Sequence, residues 1–235
     1  MLFKFKDSLK EVAKQRAKLK ALELIEGAHK AQYDKIYEYL LEVRTQNEGT
    51  TIICYLDNRL FQMMYVCLQA CKDGYRAGCR RIVGLDGCFL KGYYGGYLLE
   101  SVGINANNGI YHLAYAVVES ENQASWLWFL ELLAIDLKIV SSYHISFITS
   151  TTRDFEDAMD ELRKTNQHAY DWLKEKNPTH WSISHFSIRS HSDMLVNNLF
   201  ESFNKMILES KGKPILTMME TIRTKIMLLI VKKKE

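Results

Sequence analysis

Three apolar runs broken by two glycine-bearing turns constrain this chain more than any other feature. Arg81 to Leu85, Tyr97 to Asn105 and Ile110 to Glu119 read as strands. Gly95-Gly96 and Asn107-Asn108-Gly109 stand between them, where hairpin turns need residues that tolerate positive φ. Gln123 to Lys138 then reads as a helix with Trp126, Phe129, Leu130 and Leu133 on one face, and His144 to Thr149 as a fourth strand.

The order strand, strand, strand, helix, strand is that of the ribonuclease H-like core, an α/β fold whose mixed sheet carries helices on both faces; other α/β folds share it. The flanks read mainly as helix. Residues 8–26 form one, with Ser8 as N-cap and Gly27 at C′; residues 28–45 form a second, with Tyr33, Ile36, Leu40 and Val43 on one side. Asn47-Glu48-Gly49 breaks it, Thr50 to Leu56 is β-rich, Asp57-Asn58 signals a turn, and Phe61 to Cys71 reads as helix, with Gly74 and Gly78 beside another break. Beyond Ser150 the pattern predicts helices over 154–166, 167–176, 194–208 and 215–231, with Pro178 ending the second and a short aromatic stretch at 181–188. The organisation expected is a helical extension over 1–78, a partial core over 79–152 and a helical region over 153–235.

Composition excludes some classes. Hydrophobic residues at 47% and charged residues at 25% belong to a globular chain. A net charge of +3 supports polyanion binding only where basic residues cluster. Lys6, Lys10, Lys14 and Lys18 recur every four residues, as a solvated helix face does and as a phosphate-following stripe also would. Cys54, Cys67, Cys71, Cys79 and Cys88 are odd in number and fit reduced, buried thiols; Cys67 and Cys71 have no His pair at zinc-finger spacing, and His180 and His185 have no Cys pair. With no apolar run of spanning length and no secretory h-region at the start, a nuclear or cytoplasmic location is expected.

Chemistry concentrates in Gly84 to Gly92, where Asp86 is a lone acid at the end of a buried-looking strand. Metal-dependent nucleic-acid enzymes place their first carboxylate in such a position. Lys91 with Tyr93, Tyr94 and Tyr97 follows; such a patch stacks on nucleic acid in some proteins and makes cross-strand aromatic pairs in many hairpins. Trp126 is in phase with the helix's core face, whereas Trp128 points elsewhere and suits a covering segment or a partner.

Residues 79–138, including the run CRRIVGLDGCFLKGYYGGYLLESVGINANNGIYHLAYAVVESEN, resemble the core of plant Mutator-like (MULE) transposases. AKLKALELIEGAHKAQYDKIYEYLLEVRTQNEGTT upstream, and AYDWLKEKNPTHWSISHFSI and SDMLVNNLFESFNKMILESKGKPILTMMETIR downstream, are similar to the family's flanking helices. The resemblance implies a ribonuclease H-like DNA transposase whose DDE carboxylates hold two Mg²⁺ or Mn²⁺ ions. Asp86 matches the first Asp. Glu201, in the run Asn197 to Asn204, is the candidate for the Glu, its alternative being an ordinary exposed helix residue.

The departures matter. After the fourth strand the family carries a Ser-Asp pair, whereas Ile145 to Thr149 runs here into Ser150-Thr151-Thr152-Arg153 with no acid. An internal deletion at Thr149 to Thr152 is the simplest account, and it removes the second Asp. Asp154 falls in a predicted helix past that point, and Asp136, late in the preceding helix, reads as solvated. The family's N-terminal zinc-type domain and C-terminal SWIM-type finger have no counterpart in these residues. The expectation is a truncated, transposase-derived protein that does not catalyse and does not hold its metals productively. Its expected partners are DNA, weakly, and intact transposase subunits, with no membrane and no small-molecule substrate. The alternative is an active metal-dependent DNA transposase or nuclease using Asp86 and Glu201.

Overall fold

The computed structural model describes residues 2–58, 60–139, 146–149 and 203–232. The elements are α1 (Leu2–Asp34), α2 (Ile36–Gln46), β1 (Thr51–Asp57), β2 (Leu60–Cys67), α3 (Gln69–Gly78), β3 (Cys79–Phe89), β4 (Tyr97–Asn105), β5 (Ile110–Val118), α4 (Gln123–Leu137), β6 (Ser146–Thr149) and α5 (Ile215–Lys232). A further helical stretch covers residues 203–207. The helices predicted over 154–166 and 167–176, the stretch 181–188, and Asp154, His180, His185 and Glu201 lie outside the described residues.

The strands form one sheet in the order β1-β2-β5-β4-β3-β6, with β6 parallel to β3 and every other pair antiparallel. The three expected strands are the meander β3-β4-β5. Its first turn needs its glycines. Gly96 has φ +91, and a Cβ there would meet the Val118 carbonyl oxygen at 2.8 Å. The second turn places Asn108 at φ 60 while the Asn105 side chain accepts from the amides of Asn107 and Gly109.

Helices cover both faces. α4 packs on β2 and β5, with Asn122 as N-cap accepting from the Ser125 amide and Lys138 closing the C-terminus at φ 54. Phe129 and Leu133 are fully buried under it. The other face carries α2 and α5; Ile36, Leu40 and Val43 of α2 and Met218, Met219, Ile222 and Ile226 of α5 belong to the same core as the sheet. α1 docks through its last turns, where Gln32 exchanges hydrogen bonds with Thr217 and Tyr33 packs edge-on to Phe61 and Tyr94. Before that it stands clear, with Leu19, Leu22, Leu24 and Ile25 exposed.

Four expectations are corrected. Gly27 does not end a helix: α1 runs through it to Asp34, and the break falls at Lys35. A Cβ at Gly27 would meet nothing within 4 Å, so the glycine costs only its intrinsic penalty, about 1 kcal/mol relative to Ala. Phe61 to Cys71 is not a helix but β2 followed by the start of α3. A continuous apolar run reads alike as buried helix or buried strand, and pairing with both β1 and β5 decides for the strand. Residues 1–78 are therefore not a helical extension, because 51–67 supply two strands to the sheet. Trp128, like Trp126, packs on the core, 6.3 Å and edge-on from the Tyr65 ring.

Candidate functional site

Alternation along β3 puts Asp86 and Cys88 on one face and Gly87 on the other, beneath α4. On the Asp86 face the register builds a row across four strands: Asp86 opposite Glu100, Glu100 opposite Tyr115, and Tyr115 opposite Val66. Directly opposed residues share a face, so two carboxylates stand side by side in the middle of a sheet. Asp86 is three residues short of the strand's end, not at it, and is 9% exposed; Glu100 is 2% exposed.

The segment before α5 closes over them. Asn204 donates from Nδ2 to Asp86 Oδ2 at 3.2 Å, and Lys211 Nζ donates to Asn204 Oδ1 at 2.9 Å. Lys211 is itself fixed, since its carbonyl accepts from the Lys91 amide at 2.8 Å. The other Asp86 oxygen accepts from the Gly87 amide at 3.0 Å. Glu100 Oε1 lies 3.1 Å from His112 Nδ1, and the Phe203 ring sits 5.6 Å from the His112 ring. Glu100 Oε2 is buried and meets no hydrogen-bond partner among the described residues.

Burial, and then the Asp86 charge, hold the Glu100 carboxyl well above the ordinary glutamate range. Burial also pushes the Cys88 thiol up to about 11, although Lys211 beside it pulls the other way, so Cys88 is no nucleophile at neutral pH. The Glu100 shift has a direct consequence. Its contribution to stability is complete below the unfolded-state value and is lost as pH rises through the folded one. Glu100→Gln, which cannot ionise, should melt above the wild type at neutral pH, with the gap closing towards pH 4. Melting curves by circular dichroism across that range test this; a gap independent of pH would refute the raised carboxyl.

Of the residues expected from sequence, Asp86 lies in this cluster, and Glu201 and Asp154 lie outside the described residues. Asp136 is on the opposite face and is not solvated: it is 6% exposed, with Lys72 Nζ at 2.8 Å from its Oδ1 and hydrogen bonds from Thr51 and Tyr65. Tyr93 and Tyr94 pack on each other and against His29 and Tyr33, while Tyr97 meets Phe89 across the hairpin, so these rings hold α1 and the turn together. A groove of about 970 Å³ lined by Gln32, Tyr39, Thr217, Glu220 and Arg223 lies between α1, α2 and α5, away from Asp86.

Sequence reasoning missed Glu100, His112, Asn204 and Lys211. The signal for Glu100 was available, as a single acid inside the run Tyr97 to Asn105 that a hairpin centred on Tyr93 folds onto Asp86. His112 comes from the next strand of the same meander, whereas Asn204 and Lys211 depend on the long return of the chain to the sheet.

The resemblance to Mutator-like transposases implies divalent metal. Among the described residues no group of three or more His, Cys, Asp or Glu side chains is arranged to hold one. Asp86 and Glu100 are directly opposed on β3 and β4, and Glu100 Oε2 is buried without a partner among the described residues. Mg²⁺ keeps several waters and takes one or two carboxylates, so the donor set fits a single such ion and not a pair.

Residues 82–168 match the MULE transposase domain family. Over that segment the chain is related to the Mutator-like transposases. The match begins in β3, takes in Asp86, the meander, α4 and β6, and runs past Thr152. The likeness to Mutator-like transposases therefore does not stop where the sequence suggests a deletion. No curated protein and no solved structure matches the chain with significance. No helix among the described residues is long and apolar enough to cross a membrane.

Proposed function

We propose that this transposase-derived protein, built on a ribonuclease H-like core, does not cleave DNA and works instead by associating with DNA or with intact transposase subunits. The sheet order supports the core: an antiparallel meander flanked by a parallel strand beside its first member. One observation carries the loss of chemistry. β6 pairs with β3 up to Thr149 opposite Leu85, next to Asp86, and neither the strand nor the sequence Ser150 to Arg153 after it contains a carboxylate. Two-metal catalysis needs acids on both strands to bridge its ions, and Asp86 with the buried Glu100 beside it does not replace them. The test is nicking of supercoiled plasmid with Mg²⁺ or Mn²⁺ by the wild type and by Asp86→Asn. Equal, background-level products are expected; nicking that disappears in Asp86→Asn would overturn the reading. DNA retention that weakens steeply between low and physiological salt would support the binding role.

The family match through residue 168 favours one rival, because it brings Asp154 within the likeness. On that reading Asp86, Glu201 and Asp154 form a working metal site. Nicking would then be lost in each of Asp86→Asn, Asp154→Asn and Glu201→Gln.

A further inference from the structure

We infer that the turn between β3 and β4 and the loop before α5 together bind an unpaired nucleic-acid strand, with phosphates on Lys91 and Lys213 and a base stacked on Tyr93. The inference rests on the reading that the chain associates with DNA, and it names the surface and the form of nucleic acid that surface takes.

The backbone comes first. Lys91-Gly92 follows β3, and Lys211-Gly212-Lys213 precedes α5. The Lys91 amide donates to the Lys211 carbonyl at 2.8 Å. A Cβ at Gly92 would come within 3.7 Å of the Lys213 carbonyl oxygen, and one at Gly212 within 3.8 Å of the Lys91 carbonyl oxygen, so the two loops are in contact. Segments far apart in sequence thus bring three lysines onto adjoining backbone. Lys211 is committed, since its Nζ donates to Asn204. Lys91 and Lys213 are exposed, and neither side chain has a hydrogen bond or ion pair among the described residues. Like charges gathered without an acid repel one another, and a phosphate between them reverses that.

The second observation is aromatic and independent of charge. Tyr93 and Tyr94, on the same turn as Lys91, are 45% and 50% exposed although both belong to a ring cluster. Tyr94 meets Tyr33 at 5.3 Å and Tyr93 at 5.1 Å, both edge-to-face. Tyr93 has His29 at 6.0 Å, and Glu26 of α1 holds its hydroxyl. The rings are therefore fixed before any ligand arrives, yet each keeps a large part of its surface in water. Groups set in place beforehand lose little freedom on binding.

A basic rim beside half-open rings suits a single strand, because the lysines follow its phosphates and the rings stack on its bases. Duplex DNA keeps its bases stacked on one another and offers such a surface little but phosphate and sugar. The rings therefore discriminate between the two forms. The Glu26 charge keeps phosphates to the lysine side of Tyr93.

The experiment is fluorescence anisotropy of the full chain with labelled oligodeoxythymidylate and with a duplex of equal length, over a salt series. The single strand should bind more tightly. Lys91→Gln combined with Lys213→Gln should flatten the slope of log K against log salt by about 1.4, the sum of two phosphate contacts on a single strand. Tyr93→Ala should weaken single-strand binding about fivefold or more, the low end of a base–aromatic stack, and leave duplex binding unchanged; Tyr93→Phe keeps the ring and should keep the affinity. Lys18→Gln combined with Lys20→Gln removes the same charge from an exposed stretch of α1 and should leave the preference for the single strand unchanged. An oligouridylate of the same length shows whether the strand is RNA or DNA, and binding of either that fails in Tyr93→Ala upholds the site. Melting curves show that each variant is folded. Single-strand affinity retained in both the double lysine variant and Tyr93→Ala, or a duplex bound as tightly as the single strand, would overturn the inference and leave DNA association standing. Binding of no probe even at low salt would sink both.

Discussion

Asp136→Asn should destabilise the protein by about 3–5 kcal/mol, the usual consequence of leaving one member of a buried ion pair uncompensated. Lys72 and Asp136 are 6% exposed each, their charged atoms 2.8 Å apart. Asp136 also accepts from Thr51 Oγ1 at 2.6 Å and from the Tyr65 hydroxyl at 3.0 Å, while Lys72 donates to the Gly49 carbonyl at 2.9 Å. The cluster thus joins α3, α4, β1 and β2, and the amide of Asn can replace only part of it. Urea unfolding of Asp136→Asn, Lys72→Met and the double variant measures the effect. If the pair is the reason, the double variant is less damaged than the sum of its parts. Strict additivity, or a single-variant loss below about 1 kcal/mol, the level of an exposed pair, would show the pair to be open to solvent.

Phe129→Ala should cost about 3–5 kcal/mol, as truncation of a buried aromatic does when its surroundings relax only in part. The Phe129 ring is fully buried, 5.6 Å from Tyr65 at 64° and 5.8 Å from Trp126 at 86°, both edge-to-face arrangements. Tyr65 is on β2, outside the family match, and Phe129 is inside it. One cooperative unfolding transition shifted as a whole is therefore the expected outcome. A separate, unshifted transition would mean that β1 and β2 fold as a unit of their own.

The parts legible in the sequence were those with local causes. The meander followed from turn residues at fixed places between apolar runs, and α4 from its 3.6-residue periodicity. Asp86 stood out because a lone acid at an apolar strand is conspicuous. What failed was non-local. The run Leu60 to Cys67 becomes a strand because β1 and β5 flank it, and nothing within the run reports those neighbours. Asp136 looked solvated because its partners Lys72, Thr51 and Tyr65 come from three other elements. Asn204, with Lys211 behind it, reaches Asp86 only across a sequence separation of 118 residues.

The position of β2 between β1 and β5 also orders events in time. Val66 pairs with Tyr115, so the β1–β2 hairpin leaves the ribosome well before its sheet partner exists, whereas β3, β4 and β5 close onto one another as they emerge. Synthesis therefore holds an apolar hairpin in waiting until β5 is made.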